Sequence, residues 1–218
     1  MWSALSSCQT AWAVGGTVAK RYPAQVAPFV AVPAAGIEAS SALAELVEVG
    51  EILYLCDIAP VLSADWQLEE CAPVWQMIFE SQNSPAPLTT PLVTLTEADL
   101  PAMLALTALV FPEFFRAGSP QLGAYLGIYQ AGVLAAMAGE RMKMPGYCEI
   151  SAVCTHPDFL GRGYAGSLIG QLNNAILGRN EIPFLHVGSQ NARAISLYER
   201  LGFVTRRPLP LWRLRRLR

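Results

Sequence analysis

A glycine-rich turn set between a strand-like segment and a long helical one constrains this chain most. Tyr147–Thr155 (YCEISAVCT) has the make-up of a strand, and His156-Pro-Asp-Phe-Leu-Gly-Arg-Gly-Tyr-Ala-Gly166 follows it. Tyr164–Leu177, rich in Ala, Leu and Ile, reads as a helix closed by Gly178. Glycines let a backbone approach a ligand closely, while successive N–H groups and the next helix's dipole point at an anion. Gly161, Gly163 and Gly166 spell G-x-G-x-x-G, and Glu181 lies near the distance expected of an acidic ribose partner. Geometry argues against a dinucleotide fold. The segment His156–Leu160 separates strand from glycines, and Glu181 precedes its strand, at the wrong end to reach a ribose. No Gly-Lys-Ser/Thr follows, so the loop is not a Walker A either.

The elements around this loop read as a mixed α/β layout. Leu92–Leu95 alternates as a strand, and Thr96-Glu-Ala-Asp99 is a capping box opening a helix to about Val110. Tyr125–Tyr129 and Val133–Met142 form a hairpin about Gln130-Ala131-Gly132. Pro183–Val187 and Phe203–Thr205 are strands flanking a helix over Ala192–Leu201, and Leu211–Arg216 is a last strand. The expected sheet is antiparallel at first and parallel at its fourth and fifth strands. Before residue 90 the pattern is irregular. Ser40–Val49 reads as a helix, Glu51–Cys56 as a buried strand and Ala72–Glu80 as a helix with Pro in its first turn. The proline-rich stretch Ser81–Pro91 is the expected seam, dividing an N-terminal region, 1–85, from a domain over 91–218.

Composition narrows the class. The chain has 218 residues, 53% hydrophobic and 15% charged, which excludes intrinsic disorder and leaves apolar surface compatible with a homodimer. Its longest apolar stretch, Leu100–Phe111, is too short for a membrane span, and residues 1–19 lack the basic n-region of a signal peptide. A cytoplasmic protein with no membrane partner is expected. Five cysteines without paired spacing and two histidines argue against a disulfide framework and a metal site. Residues 1–90 carry a net −7 and residues 91–218 a net +5. The basic half suits an anionic ligand, although Arg206–Arg218 also reads as a solvated tail. That tail lacks interleaved aromatics beyond Trp212, so no nucleic-acid partner is expected.

Strand, HPDFLGRGYA, long helix, strand, then NARAISLYERLGF together resemble the GNAT superfamily of N-acetyltransferases over about residues 91–207. The family's Q/R-x-x-G-x-G/A loop matches at Leu160, Gly163 and Ala165, with Leu160 the one departure. Its N-x-x-A-x-x-x-Y-x-x-x-G-F helix matches at Asn191, Ala194, Tyr198, Gly202 and Phe203. The resemblance implies an acetyl-CoA-dependent N-acetyltransferase of the two-part kind, acting on a small-molecule or peptide amine by direct transfer. It implies acetyl-CoA as co-substrate, its pyrophosphate held by Leu160, Gly161, Arg162, Gly163, Tyr164 and Ala165. Val153, Cys154 and Thr155 would hold the pantetheine and carbonyl, with the Val153 amide as oxyanion donor. Asn191 would touch the pantetheine arm as well as cap its helix. The competing expectation is a non-catalytic acyl-CoA-binding or regulatory module, which an acceptor cleft filled by residues 1–85 would favour.

Two residues are the expected catalysts. Tyr198 occupies the family's position for the acid that protonates the leaving sulfur. Glu149 lies where histone-type members carry a base, and period-2 alternation puts Glu149, Ser151, Val153 and Thr155 on one face. Its apolar neighbours would raise its pKa. Glu140 is the fallback base, with pairing to Arg141 or Lys143 as its bland alternative, and His156 and His186 are alternative proton relays. Cys154 lacks an evident His-carboxylate pair and reads as a buried thiol, not a nucleophile. The acceptor wall is expected from Phe111–Phe115 and the first helix, with Trp2 and Trp12 as further candidates.

Overall fold

The structure is a computed structural model that describes residues 1–81 and 91–218. Short elements open the chain: α1 (Trp2–Leu5), a three-stranded antiparallel sheet of β1 (Val14–Gly15), β2 (Lys20–Arg21) and β3 (Val30–Ala31), and α2 (Ser40–Ala44). There follow β4 (Ile52–Cys56), β5 (Trp66–Phe79), β6 (Val93–Thr94), α3 (Leu100–Val110), β7 (Tyr125–Gln130), β8 (Val133–Met144) and β9 (Tyr147–Thr155). The chain ends with α4 (Tyr164–Leu177), β10 (Ile182–Gly188), α5 (Ala192–Arg200) and β11 (Phe203–Arg216). Strands β4–β11 form one sheet in the order β4-β11-β5-β10-β9-β8-β7-β6. The β9–β10 pair is parallel and the other pairs antiparallel, the mixed arrangement expected.

The expected helix over Ala72–Glu80 is instead part of β5. Trp75, Met77 and Phe79 share one core face while Gln76 faces the opposite way, a period of two that settles the element as a strand. Its place is decided by pairing: β5 lies between β10 and β11. The division into regions 1–85 and 91–218 therefore does not divide the sheet, because β4 and β5 belong to it. The interior of the Ser81–Pro91 seam lies outside the described residues. The helix expected over Ser40–Val49 closes after Ala44. The two C-terminal strands are one, β11, with register shifts at Thr205/Arg207 and Leu209/Leu211. The segment is a paired strand, not a tail, although its arginines stay at the surface. Arg207 and Arg213 pair with Asp57 and Glu69, and Arg218 beyond the strand pairs with Asp65, so three ion pairs join the acidic and basic halves.

Helices α4 and α5 cover one face of the sheet, with Leu168, Leu172 and Ile176 packed on Met77, Ala138, Ile150 and Leu185. Helix α3 covers part of the other face through Met103 and Leu106. Residues from the N-terminal segments, Leu5, Tyr22 and Phe29, cover the rest with Met142 and Phe184. The Thr96–Asp99 box opens α3 as expected, with Asp99 accepting from Thr96 N–H at 2.8 Å. On this second face the layer is incomplete, and there the site lies.

Candidate active site

Pairing of β9 with β10 ends at Glu149 and Phe184, yet both strands continue, so beyond that point they diverge. A cavity of about 570 Å³ opens at the divergence. Ile150–Val153 and His186–Gly188 line it from the two strands, Tyr198 and Asn191 from α5 and the turn before it. Its far wall comes from residues before the seam: Trp2, Phe29, Val30 and Leu55, with Phe111 and Phe114 beside them. Phe114 stacks on Phe29 at 5.5 Å and meets Tyr54 edge-on at 4.7 Å. Trp2, Phe111 and Phe114 thus line the cavity as expected, while Phe115 is buried against α3 and Trp12 packs behind the wall.

Three strand irregularities shape the site, as bulges do where side chains must be re-aimed. The first is at Ala152, whose φ of 52° is left-handed, inside the register shift between Met137 and Gly139. It breaks the alternation. Cys148 and Ile150 face α4, but past the bulge Val153 faces α4 while Ala152 and Cys154 face α3. Val153 therefore does not share a face with Glu149, contrary to the period-2 expectation. The second bulge sets Arg141 and Met142 opposite Glu149. The third frees Arg206 from its register with β5.

Glu149 does not have the raised pKa expected of a base. Burial alone would raise it, but the carboxylate accepts from Arg141 Nε at 2.9 Å and Nη2 at 2.6 Å, from Met142 N–H at 3.3 Å and from His186 Nδ1 at 2.7 Å. The guanidinium and these donors outweigh desolvation and hold it well below the usual carboxylate range. The chain of bonds goes on past His186. Gln76 Nε2 lies 3.2 Å from His186 Nε2, and Gln76 Oε1 accepts from Arg206 Nη1 at 2.9 Å. One side chain each from β11, β5, β10, β9 and β8 thus forms a continuous polar row across five adjacent strands. Residues before the seam brace its end: Gln9 Nε2 donates to the Arg141 carbonyl at 2.7 Å, and Tyr22 donates to Gln9 Oε1 at 2.6 Å.

Tyr198 is 7% exposed and lines the cavity, and burial pushes its phenol up to about 12. Its hydroxyl has no hydrogen-bond partner among the described residues. Asn191 caps α5, its Oδ1 accepting from Ala194 N–H at 3.1 Å, and lines the cavity as well. Val153 lines the cavity, whereas Cys154 and Thr155 do not. The Cys154 thiol is buried among α3 contacts and pushed up to about 12 by desolvation. Glu140 is buried between Lys143 and Arg179, at 2.8 Å from each, and held below its usual range, which is a structural role. His156 caps the Pro157–Phe159 turn.

The glycine loop lies past the end of β9, outside the cavity lining. Gly161 and Gly163 have φ of 78° and 77°, the left-handed region that side chains disfavour, and Gly163 starts α4 without a side-chain cap. The amides of Gly161, Arg162 and Gly163 have no acceptor among the described residues, and a Cβ at Gly161 would meet open space. Leu160 and Arg162 are exposed, the Arg162 guanidinium resting over Phe159 at 5.0 Å; Tyr164 is buried in the core and offers its backbone, as does half-buried Ala165. Free amides at a helix start, an unpaired strand edge and a cavity at its end fit a long anionic thioester. Among the described residues no group of His, Cys, Asp and Glu could hold a metal, and no helix is long and apolar enough to cross a membrane.

Sequence reasoning missed Gln76, Arg141 and Arg206 as site residues. Gln76 was hidden by the helical reading of its segment. Alternation of Trp75, Met77 and Phe79 was the available signal.

Comparison with known proteins agrees with this geometry. A family model described as FR47-like protein matches residues 125–210. A solved structure assigned to the GNAT acetyltransferases, from Novosphingobium aromaticivorans, is 34% identical, with a TM-score of 0.88 over 99% of this chain and 96% of that one. The chain belongs to the GNAT family. A GCN5-related N-acetyltransferase from Kribbella flavida shares the fold at 15% identity, with a TM-score of 0.61 over 97% of this chain and 91% of that one. No curated protein matches the chain.

Proposed function

We propose that the protein transfers an acetyl group from acetyl-CoA to a primary amine, of a small molecule, an amino acid or a peptide, by direct attack within a ternary complex. The observation that carries this reading is the open cavity. A cleft filled by the N-terminal region would favour the binding-module alternative, whereas the described N-terminal residues Trp2, Phe29, Val30 and Leu55 wall a cavity of about 570 Å³.

In this reading the Gly161–Gly163 amides and the start of α4 hold the pyrophosphate, with Arg162 and the backbone of Leu160, Tyr164 and Ala165 around it. The β10-facing edge of β9 beyond Glu149, including Val153, Cys154 and Thr155, offers backbone groups to the pantetheine arm, and Asn191 flanks it. The Val153 amide stabilises the carbonyl oxygen as negative charge builds, the contribution that typically dominates acyl transfer. Tyr198 supplies the proton to the departing sulfur. A phenol pushed up to about 12 keeps its proton at neutral pH, and a hydroxyl with no partner among the described residues is free to donate it. The apolar wall of Trp2, Phe29, Phe111 and Phe114 suits an acceptor with an apolar body.

Titration calorimetry with acetyl-CoA, followed by a panel of primary amines, amino acids and peptides monitored by thiol release, tests the reading. Binding together with release dependent on one amine class is expected. Absence of binding at millimolar acetyl-CoA, or binding without turnover of any amine, overturns it.

A further inference from the structure

The polar row leaves its proton positions no freedom, because each end is an arginine, which only donates. From one end, Arg141 donates to Glu149, whose ionised carboxylate only accepts, so His186 Nδ1 must carry the hydrogen that it gives to Glu149. From the other end, Arg206 donates to Gln76 Oε1, so Gln76 Nε2 donates to His186 Nε2. Both directions meet at one residue and agree: the lone pair of His186 is on Nε2. His186 also sits two residues past the last β9–β10 pair, where the strands begin to part, and it lines the cavity.

We propose that His186 takes the proton of the acceptor ammonium on Nε2, and that Glu149 is a positioning residue that sets its tautomer and pairs with the imidazolium. This rests on the acetyltransferase reading. The ammonium gives one proton to His186, which passes it to solvent after turnover. The nitrogen lone pair then forms the C–N bond, and as the C–S bond breaks its electron pair leaves on sulfur, which takes the Tyr198 proton. The second proton lost by nitrogen replaces that of Tyr198 through water, so the products are amide, thiol and one released proton. The acceptor ammonium displaces the Gln76 N–H from the Nε2 lone pair; once Nε2 carries the hydrogen, a half-turn of the Gln76 amide presents Oε1 to it, and exposed Arg206 returns to water at little cost.

Charged and titratable groups face this histidine from each neighbouring element. Glu149 meets it from β9 with Arg141 of β8 behind, and Gln76 of β5 brings Arg206 of β11. Asp57, engaged by Arg207, Cys56, pushed up to about 11, and the Met1 amine, lowered by burial, occupy the same cavity. An activity profile alone therefore does not isolate His186, and a spectroscopic readout is needed.

Long-range nitrogen NMR of the whole chain should find neutral His186 protonated on Nδ1, with acetyl-CoA present or absent. Finding the hydrogen on Nε2 overturns the proposal. His186→Asn keeps a donor near the Nδ1 position and removes the base. With the amine of the panel that turns over fastest, wild-type kcat/KM should change little with pH from neutrality up to the amine's own pKa. The variant should lose roughly 10²–10⁴-fold near pH 7 and recover about tenfold per pH unit toward the amine's own pKa, with acetyl-CoA affinity unchanged. An unchanged profile in a folded variant makes His186 structural and overturns the proposal. Failure of wild type to turn over any amine is a different result, and refutes the acetyltransferase reading itself.

Discussion

Replacing Glu149 with Gln keeps the side chain's size and removes the one charge that Arg141 and His186 share. The carboxylate accepts bonds from Arg141 Nε, Arg141 Nη2, Met142 N–H and His186 Nδ1. A glutamine offers a single acceptor oxygen, and its NH₂ group must face one of these donors, so about half the bonds are lost. Hydrogen bonds to charged groups contribute about 1.5–3 kcal/mol each, and breaking a buried ion pair from one side costs about 3–5 kcal/mol. The two estimates agree, and Glu149 is fully buried, so solvent does not screen the effect. Urea denaturation at pH 7 should show a loss of about 3–5 kcal/mol, or roughly 6–20 °C in Tm for a chain of this size. The pH dependence has a definite sign. A carboxyl depressed in the folded state stabilises above its unfolded pKa of about 4.3, and that contribution fades as pH falls through the folded value. The gap between wild type and variant should therefore narrow below about pH 4. A loss under about 1 kcal/mol at pH 7, or a gap that stays constant to pH 3, would refute the reasoning.

Three further outcomes follow from the same geometry. Tyr198→Phe should lower kcat by roughly 10²–10⁴-fold while leaving Tm and acetyl-CoA affinity nearly unchanged, since the hydroxyl has no partner to lose among the described residues; retained turnover makes Tyr198 a packing residue. Gly163→Glu should abolish acetyl-CoA binding in calorimetry, because it sets a carboxylate and a strained φ where free amides converge. Gln9→Leu orphans the Arg141 carbonyl and the Tyr22 hydroxyl and should cost about 1–3 kcal/mol in urea unfolding, with wild-type stability the refuting result.

Local signals wrote much of this molecule into its sequence. The capping box at Thr96–Asp99, helix α4 with its preceding glycines, the Asn191 cap and the β7–β8 hairpin depend on residues within a turn or two of one another, so composition and spacing suffice to read them. The family signature lies in the same local stretches. Long-range pairing decided what the sequence could not. Strand β5 reads as a helix until β10 and β11 flank it and give each face of Trp75–Phe79 a different environment. The residues before the seam looked like a region apart, yet they complete the sheet, wall the cavity and brace Arg141. Glu149 is the sharpest case. Its strand neighbours are apolar and argue for a raised pKa, but the charge that governs it arrives from Arg141 through a bulge, and a further hydrogen bond comes from His186 across a parallel pair. Desolvation and ion pairing both depend on what other segments pack against the carboxyl, and only tertiary structure determines which of the two is larger.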